Sequence, residues 1–367
     1  MKATRQLHDL GQSLWLDNIT RTLLDDGTLA RYIAELSVTG LTSNPSIFDA
    51  AIGGGDAYDA GIRAKSAAGL AGEALFTELA LEDLRRAADL FQPIFQATGS
   101  VDGWVSMEVS PLLAADTAGS IAAARQIHTQ AARDNLFVKI PGTPEGIPAI
   151  EEAIFLGIPI NVTLLFSCAH YLAAADAYLR GIERRLAAGL DPRVGSVASL
   201  FISRWDVASN PQLPPALHNR LGIAVGQQTY RAYRALLASP RWQKLAAAGA
   251  RPQRLLWAST GTKDPSAVDT LYVSALAAPD TIDTLPEKTL NAFAEHGQLH
   301  GVMATDGGDA DAVLAQIAAA GVNVDALAAT LQRDGAQAFV TSWQQLLQRI
   351  ADKTRSLDRA VAGAAPR

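Results

Sequence analysis

One lysine stands where a lysine is hard to accommodate. Lys139 lies inside Leu136-Phe137-Val138-Lys139-Ile140-Pro141, a run that is otherwise apolar. In a strand covered on both faces an ammonium loses hydration, which favours the neutral amine. Such an amine can add to a ketone or aldehyde and form a Schiff base. A lysine so placed serves equally well as the structural partner of a carboxylate on a neighbouring strand. Two carboxylates occupy comparable positions. Asp17 ends Leu14-Trp15-Leu16-Asp17, and Glu108 ends Trp104-Val105-Ser106-Met107-Glu108. Carbon–carbon cleavage through an imine needs one group to shuttle protons during carbinolamine formation. It needs another to take the proton from the hydroxyl whose C–C bond breaks. One amine and two carboxylates meet that requirement.

Further polar groups fall at the ends of apolar runs. Asn44, Asn161 and Thr163 can hydrogen-bond sugar hydroxyls or hold a water. Taken singly, each is more often a helix cap or a satisfied core group. Ser199 and Arg204 follow in Val197-Ala198-Ser199-Leu200-Phe201-Ile202-Ser203-Arg204. An arginine fork with a hydroxyl suits phosphate oxygens, and Arg204 would otherwise be a surface ion pair at a helix start. Ala258-Ser259-Thr260-Gly261-Thr262-Lys263 adds a small-residue turn with a second cation, completing a phosphate pocket from Ser259 and Lys263.

The elements that carry these residues are short apolar runs separated by alanine-rich helical stretches. The runs are 13–17, 37–42, 103–109, 136–140, 159–165, 195–201, 254–259 and 281–285. Several are apolar on successive residues, as strands covered on both faces should be. Helices are expected at 115–133 and 143–156, the second with Thr143 as N-cap and Pro144 at its first position. Eight strands alternating with helices predict a closed (β/α)8 TIM barrel, whose chemistry sits at the C-terminal ends of the strands. A doubly wound sheet is disfavoured because no glycine-rich turn follows the first strand. Segments 57–98 and 212–249 hold more helix than one crossover needs, so inserted helices are expected there. Beyond the eighth strand the chain reads as helix to about residue 356, including 323–333 and 335–350. No linker divides the chain, and one α/β barrel domain over 1–358 with a flexible tail at 359–367 is expected.

Composition narrows the function. The 367 residues are 49% hydrophobic and 19% charged, with 31 basic and 37 acidic side chains for a net charge of −6. Such a chain buries a large core and is poorly suited to a nucleic-acid backbone. Its single cysteine, Cys168, excludes an internal disulfide and points to a cytoplasmic, reducing setting. Residues 153–175 lack Asp, Glu, Lys and Arg over a length that could span a bilayer. Gly157, Pro159 and Asn161 and a change of period read instead as helix end, buried strand and helix start, so no membrane association is expected. His296 and His300 share a helical spacing without an intervening ligand set, and no zinc or calcium pattern occurs elsewhere. No metal site is expected.

At these residues the chain resembles transaldolase, in particular the longer bacterial subfamily whose members are sometimes fused to a glucose-6-phosphate isomerase. The matching stretches are Trp15-Leu16-Asp17-Asn18-Ile19, Gly40-Leu41-Thr42-Ser43-Asn44-Pro45-Ser46-Ile47-Phe48, Glu108-Val109, Val138-Lys139-Ile140-Pro141-Gly142-Thr143, Asn161-Val162-Thr163-Leu164-Leu165-Phe166-Ser167 and Ala258-Ser259-Thr260-Gly261-Thr262-Lys263. The resemblance implies an α/β barrel that moves a dihydroxyacetone unit from sedoheptulose 7-phosphate to glyceraldehyde 3-phosphate, with no cofactor. It implies Lys139 as the Schiff-base lysine and Asp17 as the acid/base in C–C cleavage. Glu108 would work through a water held by Thr163. Asn44 and Asn161 would bind substrate hydroxyls, and Ser199 and Arg204 phosphate. The family's other phosphate arginine finds no arginine here, Lys263 being the nearest cation. Sugar phosphates are the implied partners, and a homodimer is implied as well. Two alternatives stand beside it: a class I fructose-6-phosphate aldolase, and a non-catalytic phosphosugar-binding barrel.

Overall fold

The computed structural model describes residues 1–364, with side chains described through residue 359. Eight parallel strands close into a barrel in chain order: β1 (Ser13–Asp17), β2 (Val38–Thr42), β3 (Trp104–Glu108), β4 (Leu136–Pro141), β5 (Ile160–Leu165), β6 (Ser196–Phe201), β7 (Gln253–Ala258) and β8 (Ile282–Leu285). Each expected strand is present within a residue or two of its expected ends. Residues 153–175 form the end of one helix, β5 and the start of the helix Cys168–Ala187. Among the described residues no single helix is long and apolar enough to cross a membrane.

Side chains alternate along a strand, so residues two apart share a face. On the axial face the lower layer is aromatic. The Trp104 and Phe137 rings stack at 4.0 Å, and Trp15 lies 6.1 Å from Phe137. Neighbouring glycines make the room. A Cβ on Gly40 would lie 2.5 Å from Trp15 Nε1, and one on Gly195 would lie 2.8 Å from the Trp104 ring. Beneath this layer Trp15 Nε1 donates to Asp102 Oδ1 at 2.8 Å, and Arg254 Nη2 donates to Ser13 Oγ at 2.7 Å, closing the floor. Two residues above Trp15 and Phe137 on the same strands stand Asp17 and Lys139. The packed floor thus sets the height and direction of the polar layer above it.

The inserted helices are Asp59–Ala67 and Gly72–Ala97 before β3, and Leu221–Ala238 and Pro240–Ala247 before β7. Two expectations need correction. The helix after β4 begins at Gly146 instead of Pro144, because the chain turns tightly off the strand. A Cβ at Gly146 would lie 1.9 Å from the Pro141 carbonyl oxygen. Thr143 still steadies the start, accepting from Gly146 N at 3.1 Å. The expected segments 323–333 and 335–350 are one helix, Val324–Ala364. Gly335 lies inside it, despite a propensity cost of about 1 kcal/mol. There a Cβ would come within 3.1 Å of both Arg204 Nη1 and Leu164 Cδ2. The expected tail, 359–367, runs into residues outside those described.

Candidate active site

The C-terminal ends of the strands surround a cavity of about 710 Å³, lined among others by Asp17, Lys139, Thr163, Ser199, Arg204 and Lys263. Glu108 and Lys139 are register partners on adjacent strands and are only 8% and 6% exposed. Lys139 Nζ donates to the Ser43 carbonyl at 3.0 Å and lies 3.5 Å from Glu108 Oε2. A charge-assisted N–H···O bond normally closes to about 2.7–2.9 Å. This contact is longer, and Glu108 Oε2 has no hydrogen-bond partner among the described residues. The pair expected of a structural lysine is therefore present but not locked. Both partners keep capacity for a third group.

Asp17 accepts from Thr42 Oγ1 at 2.7 Å, and the Thr42 and Thr284 hydroxyls lie 2.6 Å apart. Burial raises the Asp17 carboxyl above the usual aspartate range. The Thr42 hydrogen bond and the Lys139 and Lys263 charges pull it back in part. Glu108 is also raised by burial, against the opposing charge of the nearby Lys139. The nearby Asp17 raises it further, and Arg204 lowers it. Two carboxyls raised by burial and one buried amine thus share one mouth, placed to pass protons to and from a group bound between them.

Asn161 and Ser199 form a row across the barrel. Ser199 Oγ donates to Asn161 Oδ1 at 2.7 Å, and Asn161 Nδ2 donates to Ser106 Oγ at 3.2 Å. Ser199, expected to bind phosphate, lines the cavity but commits its hydroxyl proton to Asn161. Thr163 Oγ1 is buried in the cavity lining and has no hydrogen-bond partner among the described residues. Asn44 caps the helix Pro45–Gly53, its Oδ1 accepting from Ile47 N at 3.1 Å and Ser46 Oγ at 2.6 Å. That leaves its amide nitrogen for a ligand.

At the outer rim the Arg204 guanidinium lies 5.0 Å from the Phe201 ring and 5.8 Å from the Phe339 ring. Burial lowers its pKa, and Glu108 opposes the shift. Ser259 has a left-handed backbone (φ 58°), and its hydroxyl lies 3.0 Å from that of Ser203. Lys263 and Gly261 complete this edge of the cavity. Of the ten candidate site residues, Asp17, Asn44, Lys139, Thr163, Ser199, Arg204, Ser259 and Lys263 line this cavity, and Glu108 and Asn161 are the register partners of Lys139 on the flanking strands. Sequence reasoning missed Thr42, Thr284 and Ser203, and also Leu331 and Phe339 from the C-terminal helix. Counting two residues on from Gly40 would have found Thr42. Nothing in the sequence announces Leu331 or Phe339. Among the described residues no group of three or more His, Cys, Asp or Glu is gathered to hold a metal ion.

Residues 14–350 match the family model described as Transaldolase/Fructose-6-phosphate aldolase. The chain is 44% identical over 360 residues to a protein named Transaldolase from Thermobifida fusca, covering 95% of this chain and 97% of that one. A Transaldolase from Thiobacillus denitrificans is 45% identical over 358 residues, covering 95% and 100%. One from an Arthrobacter strain is 44% identical over 366 residues, covering 97% and 99%. With a buried lysine, two buried carboxyls and a cationic rim at the mouth of a closed barrel, and with likeness at this level along the chain, the protein belongs to the transaldolase/fructose-6-phosphate aldolase family.

Proposed function

We propose that the chain is a transaldolase acting through a Schiff base on Lys139. It moves a dihydroxyacetone unit from sedoheptulose 7-phosphate to glyceraldehyde 3-phosphate and yields erythrose 4-phosphate and fructose 6-phosphate, a step of the non-oxidative pentose phosphate pathway. The observation that carries this reading is the buried Lys139 between Glu108 and the Ser43 carbonyl, with Asp17 at the same mouth.

The neutral Lys139 amine adds to the donor ketone carbon, and the new C–N bond moves the carbonyl electron pair onto oxygen. Glu108, protonated at the start, gives its proton through a water on Thr163 to that oxygen. It then takes a proton from the new ammonium and passes it by the same water to the carbinolamine hydroxyl, which departs as water and leaves the iminium with Glu108 ionised. The iminium then withdraws electrons as Asp17 removes the proton from the donor hydroxyl and the C–C bond breaks. Erythrose 4-phosphate leaves, and the enamine stays on Lys139. Addition to glyceraldehyde 3-phosphate reverses these steps, and hydrolysis of the imine frees fructose 6-phosphate. Burial supports both carboxyl roles, because a base whose pKa is raised toward working pH transfers protons with less mismatch. Asn44 and Asn161 bind substrate hydroxyls, with Ser199 orienting Asn161 through its hydrogen bond to Oδ1. Arg204, Ser259 and Lys263 receive the phosphate, Lys263 as a point charge. A cytoplasmic setting and a homodimer belong to the same reading.

The test is product analysis. Fructose 6-phosphate with erythrose 4-phosphate should give sedoheptulose 7-phosphate, with little free dihydroxyacetone. Dihydroxyacetone as the main product would make the chain a fructose-6-phosphate aldolase. Sugar binding without turnover would make it a binding barrel.

A further inference from the structure

The ladder between β5 and β6 slips between Val162 and Leu165. At the slip Leu164 adopts a left-handed backbone, φ 59°, which costs a non-glycine residue about 1–2 kcal/mol. Thr163 precedes it and lines the cavity, its buried hydroxyl without a hydrogen-bond partner among the described residues. The neighbouring backbone groups are completed from far along the chain. Gly142 N, three residues past Lys139, donates to Thr163 O at 2.7 Å. Gln332 Nε2, on the helix Val324–Ala364, donates to Gly142 O and to Leu164 O, each at 3.0 Å. One amide group thus bridges the ends of β4 and β5 where the ladder stops. The same helix holds Gly335 against Leu164 and Arg204, and ion pairs from Arg349 to Asp49 and from Lys353 to Asp59 fasten it to the helices Pro45–Gly53 and Asp59–Ala67.

We infer that Gln332 is a positioning residue for the reaction, fixing the strand ends that present Lys139 and Thr163. It touches no substrate. Without its bridge two carbonyls at the rim lose their donor, and the left-handed turn at Leu164 loses the contact that holds it. Relaxation there moves Thr163 relative to Lys139 and Glu108. The imine-forming and imine-hydrolysing steps, which need these three groups together, should suffer most. The inference rests on the Schiff-base reading of Lys139.

The test compares Gln332→Met, Gln332→Glu and Gln332→Lys with the unmodified chain, using fructose 6-phosphate as donor. Methionine keeps the length but cannot donate, glutamate places an acceptor against two acceptors, and lysine restores a donor. Borohydride trapping rate, kcat, KM and melting temperature are read for each. Gln332→Met and Gln332→Glu should lose about tenfold or more in trapping rate and kcat, within the roughly 10²-fold that a misplacement of about 1 Å costs. KM should change little, because Arg204, Ser259 and Lys263 are untouched. Gln332→Lys should recover most of the rate. If either non-donating variant folds and traps at the unmodified rate, the inference is wrong, even if its melting temperature falls. If the unmodified chain traps no sugar, the Schiff-base reading falls first and this inference with it.

Discussion

Asp283 should make the protein less stable as pH rises through neutrality, and replacing it with asparagine should remove that slope. It stands in β8 with Leu14 and Trp257 as its partners on the flanking strands, and it is fully buried. Oδ1 accepts from Thr260 Oγ1 at 2.7 Å, and Oδ2 has no partner among the described residues. Burial raises its pKa from 3.8 to about 8, with the Thr260 hydrogen bond offsetting part of the rise. Between those values the folded protein holds a proton that the unfolded chain has released. Unfolding therefore gains with rising pH, at about 1.4 kcal/mol per unit through this window. From pH 5.5 to pH 7.5 this one group withdraws roughly 2–3 kcal/mol. Asn has the same shape as the protonated acid and does not titrate. Urea unfolding of the unmodified chain and Asp283→Asn, followed by circular dichroism at both pH values, measures the difference of differences, in which the other titrating groups cancel. Asp283→Asn should gain roughly 2–3 kcal/mol on the unmodified chain between the two pH values. Parallel profiles would refute the reasoning and place Asp283 ionised in the folded state.

Two further outcomes follow from the mouth of the barrel. Asp17→Ala should still form the reducible imine but release no aldehyde product, whereas Glu108→Ala should slow trapping itself, each by about 10²- to 10⁴-fold in the affected step. The opposite pattern in the two variants would reverse the roles. Incubation with EDTA followed by desalting should leave transfer activity unchanged, since an iminium supplies the electron sink. A large loss restored by one divalent ion would contradict this.

The barrel was legible because parallel strands buried on both faces must be apolar at successive positions, and eight such runs stand out between alanine-rich helices. The inner site was legible for the same reason. Asp17, Glu108, Lys139, Asn161 and Thr163 interrupt runs that should be apolar, and each interruption needs a local cause. Two kinds of feature escaped. Contributions from the C-terminal helix, Leu331, Gln332, Gly335 and Phe339, depend on where that helix crosses the rim, which no local pattern encodes. That 323–333 and 335–350 form one helix also escaped, since the packing of Gly335 against Arg204 and Leu164 leaves no mark in the local pattern. The left-handed Leu164 escaped as well, because leucine carries no signal for that conformation and only the slipped ladder with Gln332 reveals it.

Covalent capture of the donor sugar tests the Schiff-base assignment most directly. Reduction with borohydride in the presence of fructose 6-phosphate, followed by digestion and mass spectrometry, should place one sugar-derived fragment on the peptide carrying Lys139. Lys139→Ala should remain unlabelled. A label on Lys263, or none on the unmodified chain, would contradict Lys139 as the nucleophile and leave its contact with Glu108 as a structural ion pair.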